Sequence, residues 1–200
     1  MSNFKVLTDD MLVAKYLEGD NKAFDELLGR HKDRLYSYIF FLVRSREVAE
    51  DLFQETFVKA IVNMQQGRYT ADDNKFYAWL TRIAHNLVID LFRQERNENQ
   101  ISNDETDIDL FNNKAYSEGT IEARIVNRQV LMDVRRLIDY LPDNQREVIY
   151  MRFYQSLSFK DIAAITGVSI NTALGRVRYA ILNMRRIAEE KNISLALEAV

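Results

Sequence analysis

A short stretch near the C-terminal end of the chain carries side chains of the types that read DNA. Residues 158–186 are SFKDIAAITGVSINTALGRVRYAILNMRR, in which amide, hydroxyl and guanidinium groups follow an apolar segment. Amide and guanidinium groups hydrogen-bond to base edges in the major groove, and basic groups bind phosphates and set the register. The segment therefore predicts recognition of duplex DNA, although an ordinary helical hairpin with a solvated basic face would have a similar sequence.

Two helices joined by a tight turn are expected to position these side chains. Ser158, with Asp161 three residues later, should cap the first helix, Gly167 should end it, and Ser169 should cap the second. Apolar residues spaced by three, four and seven predict the buried face of the second helix: Ile170, Ala173, Val177, Ile181 and Met184. The residues largely off that face are the predicted DNA contacts of a helix-turn-helix: Asn171, Thr172, Gly175, Arg176, Arg178 and Tyr179.

The composition is that of a mostly helical protein. The 200 residues include one Pro, six Gly and no Cys, and 47% of them are hydrophobic. This length allows one or two domains, and the lack of Cys excludes a disulfide framework and a thiolate metal site. The start MSNFKVLTDD has no signal peptide, and no apolar run approaches the roughly 20 residues of a membrane span. We therefore expect a cytoplasmic protein that does not itself lie in the membrane.

Charge is distributed unevenly along the chain. The net charge is −3, but residues 142–186 carry seven basic and three acidic side chains, whereas residues 97–120 carry six acidic ones and one Lys. The basic segment suits a DNA partner. The acidic segment is rich in Asn and Ser and lacks a helical apolar period, so it predicts a flexible linker over 97–121 between helical domains at 8–96 and 122–190.

Helical patterns fill the first domain. The first is broken at Gly19-Asp20, where Asp20 can cap a second helix with a core set of Leu27, Leu28, Leu35, Ile39 and Leu42. In the next helix the inward set is Val48, Leu52, Phe57, Ile61 and Met64, and the outward set is Glu47, Glu50, Asp51, Gln54 and Glu55. In the last helix the inward set is Phe76, Trp79, Leu80, Ile83, Ala84, Leu87 and Leu91, with Tyr77, Arg82, His85, Asn86 and Arg93 mostly elsewhere.

Enzymatic chemistry finds little support in the sequence. His31 and His85 are far apart, and a single His on a helix is more often exposed or hydrogen-bonded in the core than a ligand. A Gly-rich phosphate loop and a paired-His metal motif are both missing from the sequence. We therefore expect no enzymatic activity, no cofactor, no metal and no small-molecule substrate.

The order of these segments resembles the extracytoplasmic-function sigma factors of the sigma-70 family. The segments are EDLFQETFVKAI, FYAWLTRIAHNLVIDLFR, the acidic linker and LPDNQREVIYMRFYQSLSFKDIAAITGVSINTALGRVRYAILNMRR, and the resemblance covers roughly residues 8–186. It implies an all-α protein with a sigma region 2 domain, which binds the polymerase clamp and the −10 element, and a sigma region 4 domain, which binds the flap and the −35 element. The implied partners are core RNA polymerase, promoter DNA and, as in many members, an anti-sigma factor.

Individual residues match the motifs of the family. The resemblance implies polymerase binding by Asp51, Gln54, Glu55 and Phe57. Asn86 matches a position that contacts an exposed promoter base, and residues 67–74 match the loop that shapes the pocket for a flipped −10 base. The implied −10 contacts are Arg68, Tyr69, Arg82, Asn86 and Arg93, while Trp79 matches a tryptophan that is mostly part of the core.

The predicted DNA-reading helix departs from the pattern of the family at one triplet. Many members have Val-Lys-Ser where this chain has Ala173-Leu174-Gly175. Leu174 cannot donate a bidentate hydrogen bond to guanine, so we expect the −35 contacts to come from Asn171, Arg176 and Arg178 instead. Gly175 would permit a close approach of the helix backbone to DNA.

The acidic linker has two possible roles. In the family it threads a basic channel of the polymerase, where a negatively charged segment could imitate nucleic acid. It could equally be a soluble tether. Neutralising Asp104, Glu105, Asp107 and Asp109 together distinguishes the two, because unchanged initiation and promoter escape would exclude the channel role.

Two other functions remain compatible with the sequence. A stand-alone helix-turn-helix regulator would bind duplex operators alone and would not need the acidic helix face at 47–55. A sigma-like decoy that binds an anti-sigma factor but no promoter should tolerate loss of Asn86, Arg176 and Arg178.

Overall fold

A computed structural model describes residues 4–70, 75–99 and 133–193 of the chain. Every regular element within these ranges is helical, as predicted, and none of these helices combines the length and apolar character that a membrane span needs. The chain divides into two compact units, Met1–Phe111 and Asn112–Val200. Most of the predicted linker, including its acidic cluster, lies outside the described residues, so its role stays a prediction.

In the described part of the first unit, four α-helices follow a short 3-10 turn at Phe4–Val6. The helices are α1 (Asp9–Leu17), α2 (Asn21–Val43), α3 (Arg46–Gln65) and α4 (Phe76–Asn99). The side chains of Thr8, Asp20 and Ser45 each accept a hydrogen bond from a backbone N–H in the first turn of the helix that follows. The predicted break at Gly19-Asp20 is confirmed, and α4 continues beyond the predicted domain end at residue 96.

The core of the first unit lies where α2, α3 and α4 meet. Most of the predicted inward residues are buried, and Leu28, Val48, Ile61, Trp79, Ile83 and Leu91 are half-buried at its edge. Because α4 contacts both α2 and α3, it buries a wider sector than one apolar stripe. Tyr77 and His85, expected mostly off the core, are consequently buried, and His85 Nδ1 lies 3.3 Å from the Tyr38 hydroxyl.

Two adjacent acidic residues at the start of α1 connect this helix to the rest of the first unit. Asp9 lies 2.7 Å from His31 Nε2 and 3.0 Å from Arg30 Nη1, both on α2. Asp10 accepts a hydrogen bond from the Tyr69 hydroxyl, which belongs to the segment before α4. Burial raises the pKa of Asp9, but hydrogen bonds and charge attraction from His31 and Arg30 outweigh burial, so this pKa lies below its usual value of 3.8.

The second unit is a smaller helical cluster. Its elements are α5, described over 133–139, α6 (Asp143–Ile149), a π-helical turn (Tyr150–Tyr154), α7 (Phe159–Thr166) and α8 (Ile170–Glu190). Helix α8 packs against both α6 and α7. Pro142 is the residue that immediately precedes α6.

The turn between α7 and α8 has the predicted geometry. Ser158 Oγ accepts a hydrogen bond from the Asp161 N–H at 3.1 Å, and the Asp161 carboxylate accepts one from the Ser158 N–H at 3.3 Å. Gly167 ends α7 with a φ of 68°, a left-handed conformation that favours glycine. Ser169 Oγ accepts from the Thr172 N–H at 3.0 Å and so begins α8. Local hydrogen bonds therefore define both helices of the predicted DNA reader.

Candidate DNA and protein interfaces

One exposed side of α3 carries acidic, amide and apolar side chains in a continuous stripe. Asp51, Gln54 and Glu55 are exposed there, which agrees with their predicted outward orientation. Val58 and Val62 fall on the same side of a helix with 3.6 residues per turn, and they are 59% and 42% exposed. We call this surface the α3 stripe; its members are Glu47, Asp51, Gln54, Glu55, Val58 and Val62.

Val58 and Val62 were not predicted as part of this face, whose expected members were all polar. Their spacing of seven and eleven residues from Asp51 is the signal that places them on it. Exposed valines on a helix that already has a buried face are candidates for a protein contact. The α3 stripe is therefore acidic towards its N-terminal end and apolar towards its C-terminal end.

Phe57 is the one predicted polymerase contact that does not lie on the α3 stripe. It is 6% exposed, and its ring lies edge-on to Phe53 at 5.1 Å and to Phe24 at 6.2 Å. Phe57 therefore belongs to the core, as its inward periodicity predicted, and its part in polymerase binding, which the family resemblance implies, stays a prediction. The apolar requirement at this position comes from packing against α2.

Tyr69 lies in an aromatic cluster at the N-terminal end of α4. Its ring centroid is 4.8 Å from that of Trp79 and 5.7 Å from that of Phe76. Trp79 and Tyr69 are half-buried, so the cluster has both a packed and an open side. Arg68, next to Tyr69, is exposed, whereas residues 71–74 of the predicted pocket loop lie outside the described residues.

Three of the predicted −10 contacts share one face of α4. Arg82, Asn86 and Arg93 are exposed and are separated by four and seven residues, a spacing that aligns them along a helix. Arg93 Nη1 lies 3.4 Å from Asp90 Oδ1, an exposed pair that contributes little energy and leaves the guanidinium accessible. The α4 face thus presents an amide between two cations, a set that suits base edges and phosphates.

Helix α8 places most, but not all, of its predicted DNA contacts in the open. Asn171, Thr172, Arg178 and Tyr179 are exposed, and Gly175 and Arg176 are half-buried. The Thr172 hydroxyl lies 2.8 Å from Ser169 Oγ, so it takes part in the cap of the helix. Arg176 lies near the edge of the buried face, which makes Asn171 and Arg178 the better-placed polar groups.

The buried face of α8 differs at its first residue from the predicted one. Ala173 and Val177 are buried, and Ile181 and Met184 are half-buried, whereas Ile170 is 48% exposed because it lies in the first turn, at the rim of the unit. Leu174 is also exposed, at 43%. Asn183 Nδ2 donates to Gln145 Oε1 at 2.8 Å and fixes α8 against α6.

Comparisons with known proteins match both units to known families. Residues 27–98 match the family described as Sigma-70 region 2, and residues 131–177 match Sigma-70, region 4. The chain is 32% identical over 179 residues to the ECF RNA polymerase sigma-E factor of Escherichia coli (strain K12), with 86% of this chain and 89% of that protein covered.

Two further comparisons extend this similarity. The chain is 33% identical over 156 residues to the ECF RNA polymerase sigma factor BldN of Streptomyces coelicolor, which covers 78% of this chain and 56% of that longer relative. Among solved structures, it is similar to the sigma factor RpoE from Bartonella quintana in its complex with the anti-sigma factor NepR. That match has a TM-score of 0.61 and 25% identity, and it covers 84% of this chain and 98% of that one.

Proposed function

This chain belongs to the extracytoplasmic-function sigma factors of the sigma-70 family, and we propose how its surfaces divide the work of directing RNA polymerase to promoters. The α3 stripe binds the polymerase clamp. The α4 face and Tyr69 hold opened bases of the −10 element. Helix α8 reads the −35 duplex. The observation that carries this proposal is the alignment of Arg82, Asn86 and Arg93 on one exposed face, because an amide can bind a base edge while cations on either side of it bind phosphates.

The composition of the α3 stripe supports a contact with polymerase. Its acidic N-terminal part complements a basic partner, and such complementarity accelerates encounter and fixes register. Its exposed valines, Val58 and Val62, supply apolar area that can be buried in the complex. Asp51 is exposed and lies between Glu47 and Glu55 on the stripe, so it is the acid through which we expect the partner to be recognised most directly.

Base capture by the α4 face would make DNA opening part of sequence recognition. Extruding a base from the duplex costs a few kcal/mol, which contacts to the extruded base must offset. Asn86 can donate to and accept from a base edge, and Arg82 and Arg93 can bind the flanking phosphates. The aromatic cluster of Tyr69 and Trp79 offers a surface on which a base can stack.

Reading of the −35 duplex is assigned to the exposed side of α8. Asn171 and Arg178 are the side chains best suited to base edges, since both are exposed and lie in the first half of the helix. Arg185 and Arg186 lie farther along and are exposed, which suits contacts with phosphates. Such contacts are independent of sequence and weaken with added salt.

Two surfaces that each bind DNA weakly bind it tightly together when polymerase holds both of them. Tethered binding raises the local concentration of the second surface once the first is engaged. The need for polymerase distinguishes a sigma factor from a stand-alone regulator, which would bind a duplex operator without polymerase. The aligned cations of the α4 face distinguish a sigma factor from a decoy, which would have no use for them.

We also propose that an anti-sigma factor regulates this chain. The support is the similarity to RpoE of Bartonella quintana, which was solved bound to its anti-sigma factor NepR. The catalysis of RNA synthesis belongs to polymerase in this scheme, and the chain acts in the cytoplasm, where polymerase and chromosome are found.

Transcription in vitro with core polymerase and a library of randomised promoters tests the proposal. We expect transcripts that depend on the chain and that start downstream of two enriched sequence elements at a fixed spacing. Core polymerase without the chain is the control. Enrichment of a duplex site by the chain alone, with no transcript from polymerase, would instead support the stand-alone regulator.

A further inference from the structure

Gly175 lies within α8, although none of the described residues of the second unit needs a glycine there. Glycine is the least favourable residue other than proline in a helix interior. Apart from its chain neighbours and the nearby backbone of α8, a methyl group built at Gly175 would have no heavy atom of the described residues within 4 Å, and Gly175 has no left-handed φ that would exclude other residues. Because packing and backbone conformation both permit a side chain, the structure offers no internal reason for its absence.

Gly175 lies on the outward face of α8. Asn171 lies one turn before it, and Arg178 and Tyr179 lie one turn after it, all exposed. Gly175 is therefore a gap in the surface that we assign to the −35 duplex. Such a gap lets DNA approach the helix backbone more closely than a row of side chains would.

Leu174 borders this gap and has no hydrogen-bonding group. It is 43% exposed, so water covers a large part of an apolar side chain in the free protein. In the major groove the one apolar group that distinguishes bases is the C5-methyl group of thymine. An apolar side chain beside a glycine suits that methyl group and offers nothing to the acceptors of guanine.

We infer that Leu174 and Gly175 form a recess that reads a thymine methyl group in the −35 element. This inference rests on the proposed function, since it requires α8 to dock in the major groove. Leu174 supplies the apolar wall and Gly175 the room, while Asn171 and Arg178 hold the helix in register. The pair is thus a specificity-determining element, and it replaces a hydrogen-bonding contact with an apolar one.

Replacement of thymine by deoxyuridine tests the inference, because it removes the methyl group and leaves base pairing intact. The probe is a promoter recovered from the randomised library, with each −35 thymine replaced in turn, bound by holoenzyme formed with the full chain. We expect one position at which the replacement weakens binding about fourfold, the effect of one buried methyl group. Leu174→Ala should abolish the difference at that position.

Matched variants separate this effect from a general loss of structure. Leu182→Ala removes a leucine of similar exposure, 46%, two turns farther along the same helix, and it should keep the sensitivity to deoxyuridine. Gly175→Ala should raise the midpoint of thermal unfolding by a few degrees yet weaken −35 binding. Gly29→Ala, at an equally open glycine within α2, should stabilise the protein without changing DNA binding.

The possible failures are distinguishable. A −35 element without thymine, no sensitivity to deoxyuridine, or the same sensitivity in Leu174→Ala as in the parent would overturn the inference and leave the proposed function standing. Transcription that does not depend on any −35 sequence would overturn the proposed role of α8, and the inference with it.

Discussion

The hydroxyl of Tyr69 donates a hydrogen bond to the carboxylate of Asp10, and this contact joins the first helix of the chain to the segment that precedes α4. The same aromatic ring packs on Trp79 and Phe76. Tyr69 is therefore held from two directions, by a charged acceptor and by apolar packing. A side chain held in this way can present one edge to a base without reorganising, so under the proposed function Asp10 would support −10 recognition by Tyr69.

Tyr69→Phe should lower the free energy of unfolding of the first unit by roughly 1 kcal/mol, because a partly buried hydrogen bond to a carboxylate is lost while the ring packing remains. Trp79 is the single tryptophan of the chain and lies 4.8 Å from Tyr69, so its fluorescence during urea unfolding reports on this unit. Asp10→Ala should lower the free energy of unfolding by a similar amount. The double variant should lose less stability than the two single variants lose together. Additive losses would show that the two side chains are not coupled.

Asp51→Arg should weaken the binding of core polymerase about tenfold, since it reverses a charge in the centre of the acidic part of the α3 stripe. Asp51 is exposed, so the fold should be retained, which circular dichroism and Trp79 fluorescence can verify. Asp33→Arg reverses an exposed charge on α2 and is the matched control. Normal holoenzyme formation by Asp51→Arg would refute the assignment of the clamp contact.

Asn86→Ala should lower open-complex formation about tenfold or more while leaving binding to a −35 duplex within about twofold. The physical reason is that, under the proposed function, Asn86 acts only on a base that has left the duplex. Reactivity of −10 thymines with permanganate measures opening, and a gel shift of holoenzyme with a fragment that contains only the −35 element measures duplex binding. Equal losses in the two assays would argue against base capture.

Asp9 should make the first unit sensitive to acid. Because its folded pKa lies below 3.8, its ionisation stabilises the fold fully above that value, and this contribution is lost as the pH falls through the folded pKa. In Asp9→Asn the midpoint of urea unfolding, followed by Trp79 fluorescence, should fall less steeply below about pH 4 than in the parent. Asp33→Asn, which removes an exposed charge on α2, is the control. If the unfolding midpoint of Asp9→Asn falls as steeply with pH as that of the parent, Asp9 is not the origin of the acid sensitivity.

Local chemistry explains why the helix-turn-helix could be predicted from sequence. The caps at Ser158 and Ser169 and the glycine at 167 act over a few residues, so their residue types alone indicate the geometry that the structure has. The polar side of α3 was predictable for the same reason, because helical periodicity separates Asp51 and Gln54 from the core.

Contacts between distant segments could not be predicted in this way. Tyr77 and His85 are buried because α4 has a helix on two sides, a fact of tertiary packing that no single periodicity contains. The contact of Asp10 with Tyr69 joins residues 59 positions apart. Phe57 shows the opposite case, since its own periodicity indicated the core and the structure buries it.

We propose that the two DNA surfaces of this chain, the α4 face and the exposed side of α8, act together only on polymerase. The most direct test of this claim compares the binding of one library-selected promoter fragment by the free chain and by holoenzyme at the same salt concentration. We expect weak, strongly salt-dependent binding by the free chain, and tight binding with permanganate-reactive −10 thymines by holoenzyme. Sequence-specific binding by the free chain as tight as that of holoenzyme, without opening of the −10 element in either case, would contradict the claim.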